Sequence, residues 1–203
     1  MNKKKLTNRT PHFGRGISKL FSFKELEHLL NLRPFVNTAR FIPVFEEGEE
    51  YSWRNTSWSS DNNSWPIPIV SKLLNKTTAY LKDCSRVNYK INSFCEKLEK
   101  MFNCPVDCHI YFSFKKNALN FGRHNDKNDN FITVINGSIQ CEIWHDNKVL
   151  KSVLKSGDYA FIPALVDHKF TPLTSKRLSL SFPIVKDVGP EHFRFEDRQW
   201  IKL

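Results

Sequence analysis

The sequence predicts a mainly β fold, an antiparallel barrel or jelly roll preceded by a helical N-terminal region. The first observation is a change of period, because apolar residues recur at helical spacing before about residue 106 and alternate after it. The second is a series of short strand-like segments separated by turn signals. The third is size, because 203 residues suffice for one domain with a buried core. We expect residues 1–104 to pack on a β core at 105–185, with a tail at 186–203 and a single domain overall.

The N-terminal region contains three predicted helices. The first begins at a capping box, in which Ser22 caps the helix and Glu25 reaches back to it, and the helix ends before Pro34. The other two are predicted at 70–83 and 88–102, and the last of these has its apolar residues on one face.

The remaining N-terminal segments have no helical pattern. Residues 1–10 are basic and polar and predict a frayed tail, and residues 40–45 resemble a short strand. Residues 46–70 predict a long polar loop containing Trp53, Trp58 and Trp65. Long loops in compact domains are often lids or binding segments, so these tryptophans are candidate substrate contacts, with local packing as the alternative.

The β region is expected to contain short strands joined by tight turns. Asn136-Gly137 is a hairpin signal, Asp146-Asn147 predicts a second tight turn, and Ser156-Gly157-Asp158 predicts a third. Polar and apolar residues alternate in the last strand, so its polar face is expected to line a cavity. The predicted strands cover 106–114, 130–136, 139–144, 148–154, 159–163, a segment from 168, and 177–184.

The composition favours acidic partners. A formal net charge of +10 suits nucleic acid, an acidic peptide or a small acidic molecule, although no nucleic-acid-binding motif is present. The absence of a signal-peptide pattern and of a long apolar run predicts a soluble cytoplasmic protein without membrane contact. The odd count of five cysteines predicts reduced thiols. Cys104, Cys108 and His109 lack a second ligand pair, so we interpret them as structural rather than as a zinc site.

His124 and Asp126 are separated by one residue at the start of a strand-like run. Side chains at positions i and i+2 of a strand lie on the same face, so these two are expected to point together. A distant histidine would complete a 2-His-1-carboxylate triad, which binds Fe(II) and leaves coordination positions open. His168 is the best candidate, because antiparallel pairing can bring its strand beside the first. The alternative is a metal-free barrel in which these residues make polar loop contacts.

The same residues resemble the first motif of the cupin superfamily, in which a His-x-His pair is followed by a Glu and a Gly. Here the spacing is kept by His124, Asp126, Asn130 and Gly137. Asp126 stands in place of the second His, and Asn130 stands in place of the Glu.

The second cupin motif is matched by Gly157, Pro163 and His168, with Leu165 in place of a glycine. The His-x-Asp…His pattern is similar to the JmjC-like branch of cupins, the Fe(II)/2-oxoglutarate-dependent oxygenases, and residues 105–184 particularly resemble the ribosomal-protein hydroxylases. The resemblance implies a double-stranded β-helix (cupin/jelly-roll barrel), a dioxygenase with Fe(II) as cofactor and 2-oxoglutarate and O2 as co-substrates. It also implies that the catalytic metal ligands are His124, Asp126 and His168.

One feature of the branch is missing from this sequence. JmjC-like enzymes often have a Lys or Arg just after the position of Gly137 to bind the distal carboxylate of 2-oxoglutarate, whereas Ile139 and its neighbours are not basic. Arg177 is a candidate substitute, because other 2-oxoglutarate oxygenases place the anchoring arginine on the last strand. It shares a face with Ser179.

Further candidates for the co-substrate site are Tyr111 and Lys115 on the first strand, and Asn130, which by resemblance could hydrogen-bond the other carboxylate. The predicted function is hydroxylation of a protein, peptide or peptide-like substrate. Two alternatives remain open. One is a metal-dependent cupin enzyme that does not use 2-oxoglutarate, which the non-basic Ile139 favours, and the other is a non-catalytic cupin that binds a ligand.

Overall fold

Two antiparallel sheets contain most strands of the described chain. The computed structural model describes residues 6, 8–17, 19–31, 39–41, 44–46, 49–51 and 75–185. Within these residues the strands form a seven-stranded sheet, a three-stranded sheet and a two-stranded ribbon. Every strand pairing is antiparallel. The predicted mainly β architecture is therefore confirmed.

Two described helices lie in the N-terminal region, as predicted, but they are interspersed with five short strands. The described N-terminal elements are β1 (His12–Arg15), α1 (Phe23–Asn31), β2 (Ala39–Phe41), β3 (Val44–Glu46), β4 (Glu49–Tyr51), β5 (Ala79–Leu81) and α2 (Tyr89–Phe102). The β region comprises β6 (His109–Ser113), β7 (Asp129–Asn136), β8 (Ser138–His145), β9 (Lys148–Lys155), β10 (Asp158–Ile162), β11 (His168–Pro172) and β12 (Arg177–Ile184). The larger sheet has the order β1-β10-β7-β12-β6-β5-β2, and the smaller sheet has the order β11-β8-β9.

Both confirmed helices begin at side-chain caps. The Ser22 hydroxyl accepts a hydrogen bond from the backbone N–H of Glu25 at 3.2 Å and donates to its carboxylate at 2.6 Å, as the capping box predicts. The Asn88 side chain caps α2 by accepting from the N–H of Ile91 at 2.8 Å. Asn103 then ends α2 in the left-handed conformation, with φ of 52°.

The prediction of a helix at 70–83 is wrong for the described residues 75–83. Residues 79–81 form β5, which pairs with β6 on one side and with β2 on the other. Ala79 and Leu81 are buried in the sheet. Tertiary pairing overrides the local helical pattern, because the extended conformation buries these side chains and satisfies their backbone groups at once.

The predicted frayed tail is also wrong for its described part. Leu6 is fully buried in the apolar core, and Arg9 forms an ion pair with Asp129. The chain then enters β1, which pairs with β10 at the edge of the larger sheet. Leu6 is an apolar residue within this basic segment, and its burial holds the segment against the core.

The prediction of a hairpin at Asn136-Gly137 is wrong. β7 pairs with β10 and β12, whereas β8 pairs with β9 and β11, so this turn carries the chain from one sheet to the other. By contrast, Asp146-Asn147 forms the predicted tight turn between β8 and β9, with φ of 49° and 58°. An Asn-Gly pair specifies a sharp change of direction, but the strands that pair afterwards are decided by burial.

Gly137 is required by this turn for two reasons. Its φ is +77°, and a Cβ at this position would collide with the Thr174 hydroxyl, which accepts the backbone N–H of Ser138. We expect Gly137→Ala to lower the free energy of unfolding by about 2 kcal/mol, because strain and a lost hydrogen bond add. Urea denaturation would measure the loss. Gly122→Ala is the control, because a Cβ at Gly122 would meet no atom within 4 Å, and equal stability of the two variants would contradict the prediction.

The two faces of the larger sheet are covered by different apolar clusters. One cluster packs α1 and α2 against the sheet and includes Phe131 and Phe182. The other joins the two sheets and combines residues of β7 and β10, such as Ile132, with residues of β8 and β9, such as Ile139. Polar side chains replace apolar ones at one end of this intersheet core, and this end contains the candidate site.

Some predictions lie outside the described residues. They concern Trp53, Trp58, Trp65, the first part of the predicted helix at 70–83, and the tail at 186–203. The division of the chain at residue 104 stays a prediction. Among the described helices, none has the length and the apolar character that crossing a membrane requires.

Candidate metal centre

Three side chains with metal-ligand chemistry converge at the mouth of the intersheet core. The potential ligand atoms of His124, Asp126 and His168 all lie within 4.8 Å of one another, and no other such group occurs among the described residues. The two imidazole ring centroids are 4.4 Å apart, and Asp126 Oδ2 lies 3.5 Å from His168 Nε2. The structure therefore brings together the three residues that the sequence singled out.

Backbone hydrogen bonds hold the two segments in register. The N–H of His124 donates to the carbonyl of His168 at 3.0 Å, and the N–H of His168 donates back at 2.7 Å. The N–H of Leu165 also donates to the carbonyl of Asp126 at 2.8 Å. His124 and Asp126 precede β7 rather than lying inside it, so their common direction depends on this bridge to His168 and not on a regular strand.

One ring nitrogen of each histidine is engaged by a backbone carbonyl. His124 Nδ1 lies 2.9 Å from the carbonyl of Gly122, and His168 Nδ1 lies 3.0 Å from the carbonyl of Val166. A carbonyl can only accept, so each Nδ1 carries a proton, and in the neutral tautomer this leaves the lone pair of the ring on Nε2. Burial lowers the pKa of His168, which favours the neutral ring further.

The carboxylate of Asp126 is oriented by a short chain of hydrogen bonds. Asn130 Nδ2 donates to Asp126 Oδ2 at 2.6 Å, and the Ser181 hydroxyl donates to Asn130 Oδ1 at 3.1 Å. An unprotonated imidazole nitrogen and a carboxylate oxygen that face each other repel unless a cation lies between them. The donor set, with two imidazoles and an oriented carboxylate, therefore fits a divalent transition-metal ion.

A cavity of about 220 Å³ extends from this cluster into the intersheet core. Its wall combines aromatic rings, aliphatic side chains and a small number of polar groups, which is the composition of a small-molecule site. The lining residues are Tyr111, Asn120, Phe121, His124, Asp126, Ile132, Ile139, His168, Phe170, Arg177, Ser179 and Ser181.

Arg177 is the basic residue of this wall. Its side chain is 2% exposed, and Nη1 and Nη2 donate to the hydroxyls of Ser179 at 2.9 Å and Thr78 at 2.8 Å. Nε has no hydrogen-bond partner, and no carboxylate of the described residues pairs with the guanidinium. Burial lowers the pKa of Arg177 to about 10, so it stays charged at neutral pH. A buried cation without an anion is costly, and it indicates an anionic ligand.

Some of the remaining predicted site residues line the cavity, and one does not. Tyr111 and Ser179 line the cavity, and burial raises the pKa of Tyr111, so its hydroxyl stays protonated. Asn130 lies beside Asp126, as described above. Lys115 lies on an exposed turn beyond the end of β6 and does not reach the cavity, because the strand ends before its alternation can continue.

Sequence reasoning missed several residues of the site. Thr78 was assigned to a helix, and Asn120, Phe121 and Phe170 carry no motif. The only signal for Asn120 and Phe121 was their position just before His124. Among the described residues the five cysteines form no disulfide, and Cys104, Cys108 and His109 do not belong to a cluster of potential metal ligands.

Two antiparallel sheets that enclose a cavity, with a His-x-Asp…His cluster at its mouth, define the cupin double-stranded β-helix, as the sequence resemblance predicted. No protein-family model matches the sequence, and no curated protein matches it. Solved structures do match. A structure of the Escherichia coli ribosomal oxygenase YcfD superposes with a TM-score of 0.67 at 15% identity, covering 94% of this chain and 53% of YcfD.

A second YcfD structure, in complex with cobalt and 2-oxoglutarate, has a TM-score of 0.67 at 14% identity and covers 95% of this chain and 54% of that one. A third contains cobalt and succinic acid. This chain thus spans about half the length of YcfD. At such low identity the similarity establishes the fold, and the fold prediction is confirmed.

Proposed function

We propose that this protein is an Fe(II)- and 2-oxoglutarate-dependent oxygenase that hydroxylates a protein, peptide or peptide-like substrate. The observation that carries the proposal is a single cavity with two complementary ends. One end holds His124, Asp126 and His168 within ligand distance of one another, and the same cavity contains the buried Arg177, which no carboxylate of the described residues pairs with. A metal ion and a small dianion together would satisfy both ends.

The three clustered side chains would hold the metal on one face and leave its other face open toward the cavity. Iron bound there would supply the redox chemistry that couples oxidative decarboxylation of 2-oxoglutarate to oxygen insertion into the substrate. The residues of the chain orient this centre. Asn130 fixes the carboxylate of Asp126, the backbone bridge fixes the two imidazoles, and the rings of Phe121 and Phe170 restrict access of water.

2-Oxoglutarate is the co-substrate that best fits the wall opposite the metal. A guanidinium can bind a carboxylate through two parallel hydrogen bonds, and Arg177 retains an unpaired Nε–H for such a contact. The protonated hydroxyl of Tyr111 lines the same cavity. Arg177 would thereby take the place of the basic residue that is absent after Gly137. The complex of YcfD with cobalt and 2-oxoglutarate supports this choice of ligand.

The charge of the chain and its structural neighbours favour a polypeptide as the substrate. YcfD is a ribosomal oxygenase, and the net charge of +10 suits an acidic or RNA-associated polypeptide in the cytoplasm. Trp53, Trp58 and Trp65 stay candidates for substrate contacts.

Succinate formation is the direct test. The protein, reconstituted anaerobically with Fe(II) and then exposed to O2 and 2-oxoglutarate, is expected to release succinate even without its substrate, at a slow uncoupled rate. Omission of iron or addition of a chelator should reduce release to the level of a protein-free control. Iron binding without succinate formation would favour the cupin enzyme that does not use 2-oxoglutarate, and failure to bind iron would favour the non-catalytic cupin.

A further inference from the structure

The side-chain oxygen of Asn120 is a hydrogen-bond acceptor in the cavity. Neither the described residues nor the proposed co-substrate donates to it. Asn120 lines the cavity, and its Oδ1 is buried with no hydrogen-bond partner among the described residues. The other end of the same amide is fixed, because Nδ2 donates to the backbone carbonyl of Phe170 at 3.3 Å. Rotating the amide by half a turn would set its oxygen against that carbonyl, so the observed orientation is the stable one.

The polarity of this atom excludes the co-substrate as its partner. At neutral pH 2-oxoglutarate offers two carboxylates and a keto oxygen, which are all acceptors. They match the N–H groups of Arg177 but would repel the oxygen of Asn120. Buried polar atoms in native proteins are almost always hydrogen-bonded in the functional state, so this acceptor calls for a different donor.

Asn120 is linked to two aromatic residues that pack against the histidines of the cluster. It is followed by Phe121, whose ring centroid is 5.2 Å from that of His124. It is bonded to Phe170, whose ring centroid is 5.6 Å from that of His168. Arg177 belongs to the larger sheet, whereas Asn120 is tied to β11 of the smaller sheet. Asn120 itself lies in the loop that precedes His124, so this acceptor and the guanidinium of Arg177 come from separate segments of the cavity wall.

We infer that Asn120 Oδ1 accepts a hydrogen bond from the molecule that is oxidised, and that this molecule carries an N–H or O–H donor close to the oxidised position. The inference rests on the proposed function and extends it to the chemical class of the substrate. Asn120 is then a specificity-determining residue, because an isosteric molecule without the donor would leave the acceptor buried and unpaired.

A matched pair of small amides tests the inference without a known substrate. N-methylacetamide has one N–H donor, whereas N,N-dimethylacetamide has none. Their affinities for the protein loaded with Zn(II) and 2-oxoglutarate can be measured by NMR titration, because zinc supports binding without turnover. We expect N-methylacetamide to bind about fivefold more tightly to the wild type, and Asn120→Leu to remove that preference.

Two controls separate this inference from other roles of Asn120. Asn92→Leu carries the same substitution on α2, where the side chain contacts Glu96, and is expected to keep the preference. Zinc and 2-oxoglutarate affinities of Asn120→Leu should stay near the wild-type values. A loss of 2-oxoglutarate affinity in this variant would instead make Asn120 part of the co-substrate site and overturn the inference.

The outcomes also separate this inference from the proposed function. No preference between the amides, or no binding of either, in a wild type that binds 2-oxoglutarate overturns the inference alone. A wild type that fails to bind 2-oxoglutarate overturns the proposed function, whatever the amides do.

Discussion

His124→Ala and Asp126→Ala are each expected to abolish succinate formation and to weaken metal binding by more than about 100-fold. Substitutions of residues that merely orient metal ligands typically cost about 10- to 100-fold in affinity, so the loss of a ligand should exceed that range. The two side chains are only partly buried, so the folded state depends little on them. Equilibrium dialysis with cobalt would measure metal binding, and urea denaturation of the metal-free proteins would measure stability.

The metal-free variants are expected to differ from the wild type by no more than about 1 kcal/mol in the free energy of unfolding. Asp126→Ala loses the hydrogen bond from Asn130, but it also removes the repulsion between the carboxylate oxygen and the Nε2 lone pair of His168. His145→Ala is the matched control, because this histidine is the last residue of β8, next to Asp146, outside the cluster. Wild-type cobalt affinity in either site variant would show that the cluster does not bind the metal.

Arg177→Met is expected to change stability and ligand binding in opposite directions. Removing a buried charge that lacks an anionic partner should raise the free energy of unfolding of the ligand-free protein by about 1 kcal/mol or more. The affinity for 2-oxoglutarate should fall by at least about 30-fold, because one partner of a buried charge pair is truncated. Urea denaturation with and without 2-oxoglutarate would measure both effects.

Ligand linkage provides a second measurement for the same variant. Saturating 2-oxoglutarate should stabilise the metal-loaded wild type and leave Arg177→Met unchanged. Arg15→Met is the control, because this arginine is 88% exposed on β1 and pairs with Asp158 away from the cavity. If Arg177→Met binds 2-oxoglutarate like the wild type, Arg177 is a structural residue. It then does not take the role of the basic residue that JmjC-like enzymes have after the position of Gly137.

Local signals in the sequence were sufficient for much of the fold. The cap at Ser22 and the apolar stripe of α2 act over three or four residues, so they can be read without tertiary information. The alternation in β12 likewise predicted a polar face toward a cavity, and Ser179 and Ser181 do line it. The turn at Asp146-Asn147 was predictable for the same reason.

The errors arose where a local signal has two tertiary outcomes. Residues 79–81 fit a helical pattern but gain more by pairing with β6, and Asn136-Gly137 makes a sharp turn that joins two sheets instead of two paired strands. Lys115 continues the alternation of β6 only in the sequence, since the strand ends at Ser113. In each case the partner that decides the outcome lies far along the chain.

By itself, the sequence determined the mainly β architecture and the choice of His124, Asp126 and His168, because alternation, turns and motif spacing are properties of short segments. Only the tertiary structure decided that, within the described part of the chain, Arg177 is buried without a carboxylate partner and the side-chain oxygen of Asn120 is unpaired in the same cavity. Burial and hydrogen-bond satisfaction depend on every segment packed around a side chain, and two sheets and the Thr78 segment enclose this cavity. The chemistry of its wall could therefore be known only once those segments had been brought together.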